Sequence, residues 1–368
     1  MKKSIWTKHG NSISIALLTL LVLFIGWFEA TQPGGTDFAD LSGGIITFDT
    51  VTRIGILTIV VVGLNLLMGY AGQISLGQAA FYGMGAYASA ILTTRTDIEN
   101  WWWPWLVMVG AMFFTGGFAY VVGRPILRLK GHYLAMATLG LGIMINILFR
   151  ENFGIKTSTL DLTGGFDGIH SIPRLSIGTF EIWPIERYYY LVWLFAILGI
   201  ALAINIVHSR VGRAFRAIHG SELAAETMGI DTAHFKVSAF VISAMYASLA
   251  GSLYAHFQAA VSPTPFGFGA SLELVVMAAV GGMSTIWGAP FGVAFILGLK
   301  ELLRSRLHLV LEGAGGEHEI IAFGIILIVI MIFMPDGLVL GARRLYNNWR
   351  HRQYITETAA EATAEPAS

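Results

Sequence analysis

Cysteine is missing from all 368 residues of this chain, which excludes disulfides, thiolate metal sites and thiol nucleophiles. Charge is scarce too: Asp, Glu, Lys and Arg make up 12% of the residues, against about 25% in a soluble domain. The 23 basic and 23 acidic residues cancel, which argues against nucleic-acid binding. The patterns G-x-x-x-x-G-K-[ST], H-E-x-x-H and G-x-S-x-G are all absent, so the chain should not hydrolyse ATP by itself and offers no zincin or hydrolase site. The ten histidines are scattered, and their one dense group, Glu317, His318 and Glu319, reads as a solvated loop rather than a metal site. No catalytic residue, metal site or bound cofactor is expected.

What is present is apolar. Hydrophobic residues account for 55% of the chain and the mean hydropathy is +0.66, the composition of a polytopic membrane protein. A helix needs about 20 apolar residues to cross about 30 Å of hydrocarbon. Runs of that kind occur near 13–28, 52–69, 74–92, 105–122, 133–149, 188–207 and 235–257, followed by shorter ones at 271–280, 289–303 and 320–334. The expectation is an all-α bundle of about ten spans. The first run follows Lys2, Lys3 and Lys8 like a signal peptide, but "FEATQPG" is a poor cleavage site, so it reads as a retained anchor.

Basic residues orient such a bundle. Lys2, Lys3 and Lys8, then Arg124, Arg128 and Lys130, then Arg210, Arg213 and Arg216, then Arg343, Arg344, Arg350 and Arg352 fall on one side if the span count is even, which puts both termini in the cytoplasm. Arg304 and Arg306 fall on the other side and weaken the pattern. Trp101, Trp102, Trp103 and Trp105 suit an interfacial belt on that outer face.

Small residues recur on one helical face at Ala79, Gly83, Ala86 and Ala90, and again at Ala244, Ser248, Gly251 and Ala255, as close helix packing in lipid requires. Two glycine-rich, polar interruptions, 69–77 ("GYAGQISLG") and 281–292 ("GGMSTIWGAPFG"), break apolar segments. Backbone freed in this way is tolerated only inside protein or along a wet cavity, so the pair is either a transport path near the midplane or two tight turns. Gln73, Ser75, Gln78, Ser284 and Thr285 are its polar candidates. Ionisable residues in apolar runs are costly. Arg53, Lys300 and Glu301 can be read as interfacial groups that reach water, whereas Glu273 stands evenly between that reading and a role on the path. Asn65 and Asn146 are expected to bond across helices.

The polar stretch 208–231 interrupts all this. It carries Arg210, Arg213 and Arg216, then "SELAAETM" between Gly220 and Gly229, a short helix with Ser221 as N-cap and Gly229 just past its end. A helix that short is marginal alone. Something must dock against it, or it lies on the lipid surface.

Five runs in this order, 69–91, 162–169 ("LTGGFDGI"), 212–230, 261–268 ("VSPTPFGF") and 271–292, resemble the LivM-type permease of high-affinity branched-chain amino acid ABC importers, and together they span most of the chain. The resemblance implies a type II importer-like permease domain over 1–340 in the bacterial inner membrane, with a cytoplasmic tail at 341–368 whose distal Ala, Glu and Thr composition suggests disorder. It also implies a LivH-like second permease, two cytoplasmic ATPase subunits that use the ATP, and a periplasmic or lipid-anchored binding protein. Arg213, Arg216, Glu222, Ala225, Glu226 and Gly229 would then belong to the element coupled to the ATPase, with Glu222 and Glu226 facing its basic groups. Relatives in this family carry urea, short amides or other amino acids, so the substrate stays open. An ion-coupled secondary transporter is the competing class, and it would need carboxylates at mid-span, where Glu273 alone comes close.

Overall fold

A computed structural model describes residues 6–31, 46–96, 98, 100–154, 162–178, 180–182, 185–310 and scattered positions between 321 and 341. The cluster Glu317 to Glu319, the terminal arginines and the tail beyond 341 lie outside the described residues.

The helices fall where the apolar runs predict them. They are α1 (Trp6–Thr31), α2 (Phe48–Leu64), α3 (Gln78–Arg95), α4 (Trp103–Ile126), α5 (His132–Arg150), α6 (Ile185–His208), α7 (Arg210–Gly220), α8 (Glu222–Thr227), α9 (Thr232–Gln258), α10 (Phe268–Gly281) and α11 (Gly288–Val310). Six helical stretches among the described residues are long and apolar enough to cross a membrane. α3, rich in Gly, Ala, Ser and Thr, is not one of them, and α10 is too short, with 14 residues. α3 is largely buried by its neighbours, whereas α10 leaves Phe268 and Leu272 exposed. Helix α7 goes beyond the expectation for 208–231: Ser209 caps it, its Oγ accepting from the Val211 and Gly212 amides, so the interruption holds two helices.

The centre of the bundle is the crossing of α3 with α9, and the small-residue stripes explain it. A Cβ on Gly85 would collide with the Ser248 backbone and one on Gly251 with the Tyr82 carbonyl, so only glycine allows the two backbones this close. Hydroxyls then seal the seam. Ser89 Oγ donates to Ser252 Oγ at 2.8 Å, Ser252 Oγ reaches the Gly85 carbonyl at 3.2 Å, and Thr115 Oγ1 from α4 donates to Ser248 Oγ at 3.0 Å. Gly83 belongs to a different contact, against Phe266 and Phe149. Helix α1 leans on α6, where Tyr189 Oη donates to the Val22 carbonyl at 3.0 Å.

One end of the bundle, called here the far end, is closed by loops. Strands β1 (Ile169–His170) and β4 (Ala260–Val261) pair antiparallel, and between them in sequence β2 (Ser176–Ile177) pairs with β3 (Phe180–Glu181). The β1–β4 pairing joins the 162–169 and 261–268 runs, and Asn146 Nδ2 donates to the Pro263 carbonyl at 2.8 Å, the cross-element bond expected of that amide. His256 Nδ1 lies 2.7 Å from the Pro173 carbonyl and pins the same loop. Trp101 and Trp102 are exposed at this end, and the Trp105 indole bonds the Ser176 carbonyl.

Candidate functional site

Helix α2 does not stop at Leu64 but widens into a π turn, Asn65–Tyr70, before the chain breaks at 71–77. Such widened turns recur at functional positions. The second break, 282–287, joins α10 to α11 as a tight hairpin, with Gly282 at φ +103°. These two breaks, more than 200 residues apart in sequence, pack on each other. A Cβ on Gly69 would strike the Met283 carbonyl, and Asn65 Nδ2 donates to the Thr285 carbonyl at 3.1 Å across 220 residues. Thr285 Oγ1 accepts from the Gly288 amide at 3.1 Å and shapes the hairpin. Asn65 Oδ1 and Ser75 Oγ are buried there without a hydrogen-bond partner among the described residues, and such groups seldom stay unpaired in a settled core.

The joint adjoins α7 and α8. Gly72, at φ +67°, lies under His219, so that a Cβ there would press on the imidazole. Gln73, whose Nε2 donates to the Ala71 carbonyl, lines a cavity of about 170 Å³ with Lys130, His219, Glu222 and Lys236. The first interruption thus adjoins α7 and α8 through Gly72 and Gln73, while Gln78, just past it, reaches Ser243 in the middle of α9.

Helix α8 has the ends its sequence predicts. Ser221 Oγ accepts from the Ala224 amide at 3.3 Å, and Gly229, at φ +81°, follows Met228. Two back-bonds close the end, Gly229 N to the Glu226 carbonyl and Ile230 N to the Ala225 carbonyl. Ala225 is the buried residue of α8, whereas Leu223 and Met228 are 73% and 81% exposed. The acids turn inward. Glu222 is ion-paired with Lys236 of α9, whose side chain is 4% exposed, and lies 3.8 Å from Lys130; Glu226 Oε1 accepts from Thr232 Oγ1 at 2.7 Å. Arg216 and Arg213 also serve the chain itself, donating to the Val207 and His208 carbonyls at the end of α6, where unpaired carbonyls and the helix dipole attract cations.

The remaining candidates separate. Gln78 is wedged between α3 and α9, its Nε2 donating to the Ser243 carbonyl at 3.1 Å while Ser243 Oγ donates to Gln78 Oε1 at 3.3 Å. Ser284 is exposed on the hairpin. Glu273 belongs to the far end, where Lys300 Nζ lies 2.6 Å from its Oε2. Lys236 is the functional residue that sequence reasoning missed. A lysine in the first turns of the 235–257 run was itself the signal, since a charge in an apolar span needs a partner.

A helical bundle of membrane-spanning length, with two discontinuous segments joined near a short capped lever, is the architecture of a multi-pass transport permease. The profile of the family described as "Branched-chain amino acid transport system / permease component" matches residues 46–335, and the chain belongs to that family. It is 30% identical to the high-affinity branched-chain amino acid transport system permease protein LivM of Escherichia coli, over 88% of this chain and 74% of that protein. Permease LivH of the same organism is 26% identical over 79% of this chain and 94% of its own, and BraD of Pseudomonas aeruginosa 25% over 76% and 90%. No solved structure matches.

Proposed function

We propose that this chain is one of two permease subunits of an ATP-driven importer for branched-chain amino acids. Residues 1–340 form the transporting unit and the α8 end faces the cytoplasm, with both termini on that side in a bacterial inner membrane. A LivH-like chain supplies the second half of the pathway, as the relationship to both LivM and LivH suggests. Two ATPase subunits bind and hydrolyse the ATP, and a binding protein on the opposite side delivers the substrate. This chain contributes no covalent chemistry.

The observation that carries the reading is the construction of α8. Its acids are engaged with α9, while Leu223 and, at its C-cap, Met228 are large apolar side chains left 73% and 81% exposed on a helix too short to stand alone. A cleft on an ATPase subunit would cover them. The partner is therefore met by apolar contact with Leu223 and Met228, while Glu222 and Glu226 transmit its movement inward through Lys236 and Thr232. Motion of α8 against α9 bears through His219 on the joint between the breaks, the place where a path can open or close. Alternating access then needs two positions of one small lever, each favoured by a different nucleotide state of the partner.

The test is reconstitution. Purified chain with the LivH-like permease, the ATPase subunits and the binding protein should take up leucine in vesicles on ATP, competed by isoleucine and valine and not by urea. Uptake on an ion gradient without any ATPase would overturn the reading.

A further inference from the structure

We propose that the cavity at the far end of the bundle is a waypoint that holds the zwitterionic head of an α-amino acid, an inference that rests on reading the chain as an amino-acid permease. The cavity measures about 490 Å³ and lies among the first turns of α2, the first half of α10 and the last half of α11, within the range of about 300–1,000 Å³ common for small-ligand sites.

Its charges come in facing pairs. On α2, Arg53 Nε lies 2.7 Å from Asp49 Oδ2, one turn earlier; between α11 and α10, Lys300 Nζ lies 2.6 Å from Glu273 Oε2. Arg304 and Glu301 add one more group of each sign. The lining is balanced overall, with a cation and an anion available together. A free carboxylate or a free amine would find one sign of that lining wrong, but a zwitterion satisfies both at once. The rest of the wall suits an aliphatic side chain: Ile56, Leu274, Met277 and Leu297, with the rings of Tyr82 and Tyr254.

Exposure decides that these pairs can exchange partners. The side chains of Arg53, Asp49, Lys300 and Glu273 are 47%, 43%, 37% and 27% exposed, so the pairs are hydrated and each is weak. A substrate carboxylate can replace Asp49 on the Arg53 guanidinium while its ammonium replaces Lys300 on Glu273, and the displaced Asp49 and Lys300 side chains, 43% and 37% exposed, turn to water. Weak holding suits a path, because a deep site would slow release. The position is also apt: α2 and the α10–α11 hairpin carry the cavity at one end and the Asn65–Thr285 joint at the other.

The test is saturation-transfer NMR on the assembled transporter in nanodiscs without its binding protein, using L-leucine, 4-methylpentanoate, isopentylamine and glycerophosphoethanolamine as probes. Leucine methyl signals should appear and fall by about tenfold for either singly charged analogue, as expected when one charge goes unmatched. Arg53→Gln and Glu273→Gln should abolish the leucine signal and Arg53→Lys should keep part of it. The double variant Glu273→Met with Lys300→Met, which removes the pair without stranding a charge, should fold and still lose it. Leucine giving no signal, equal signals from leucine and 4-methylpentanoate, or undiminished leucine signal in these variants overturns the waypoint. A stronger response to glycerophosphoethanolamine assigns the cavity to a lipid headgroup and overturns it too. ATP-driven leucine uptake by the unaltered transporter is scored separately, so loss of the waypoint and loss of the permease reading are distinguishable.

Discussion

Glu222 of α8 holds the ammonium of Lys236, which α9 buries at its first turns, so a surface lever and the central helix of the bundle share one ion pair. Removing one partner of a buried pair strands the other, which is the expensive outcome. Glu222→Ala should therefore destabilise the chain by up to about 3 kcal/mol, since Glu222 itself is partly exposed and Lys130 offers no compensating charge. Adding Lys236→Met should recover most of that loss. Thermal melts of the single and double variants in detergent give the coupling directly, and additive losses would show that the pair does not join the two helices.

Glu226 offers a cleaner separation of folding from coupling. It is exposed, and its bond to Thr232 stands at the mouth of a groove walled by Arg124, Arg128 and Lys130. Glu226→Arg adds a positive charge to that basic groove and removes the acceptor for Thr232. The bundle should stay folded, because surface substitutions of this kind fall within about 0.5 kcal/mol. Transport in reconstituted vesicles should fall while ATP turnover by the partner continues, and unchanged leucine uptake would count against α8 as the lever.

The proposed docking rests on Leu223 and Met228. Leu223→Asp or Met228→Asp leaves every described intramolecular bond of α8 intact, so stability should barely move. Interface residues of central importance are worth about 2 kcal/mol or more each, which is about 30-fold in affinity. Titration of detergent-solubilised permease pair with ATPase subunit should show that loss for either variant. Equal affinity would place the partner elsewhere.

Local chemistry explains how much of this was legible in the residues. The Ser221 cap and the Gly229 terminus are matters of a few neighbouring atoms, and both stand where the sequence puts them. The small-residue stripes pointed to close helix packing ahead of a role in lining the path, and Ser248 and Gly251 of the second stripe do lie at the crossing, where Gly85, outside the first stripe, meets Ser248. Pairings across the fold were hidden. Glu273 and Lys300 are 27 residues apart and read as unrelated, Lys300 as an interfacial charge and Glu273 as either that or a path residue, until the hairpin at 282–287 brings α10 and α11 side by side. Glu222 and Glu226 look outward on a helical projection, since nothing in the spacing says that α9 begins beneath them with Lys236 and Thr232. The contact of the first break with α7 was hidden for a related reason: α2 runs on into the π turn, so the break after it comes out beside His219.

Glycine substitutions test whether the joint and the crossing depend on close backbone contact. At Gly251 an added methyl meets the Tyr82 carbonyl and the Ala86 amide, backbone atoms that can yield only if α3 and α9 part. Overpacking of this kind costs about 1–3 kcal/mol, so Gly251→Ala should lower the melting temperature measurably. At Gly69 the methyl meets the Met283 backbone carbonyl on a hairpin that the Asn65–Thr285 bond holds in place, so Gly69→Ala should lower the melting temperature on the scale of Gly251→Ala and slow transport as well. Gly110, on α4, has nothing within 4 Å of an added Cβ. Alanine is the better helix former there by up to about 1 kcal/mol, so Gly110→Ala should be neutral or stabilising. Melting curves and ATP-driven uptake measured on all three variants separate the cases. If Gly251→Ala melts like Gly110→Ala, the α3–α9 contact is looser than the structure describes, and the hydroxyl bonds from Ser89, Ser252 and Thr115 must hold the centre of the bundle without it.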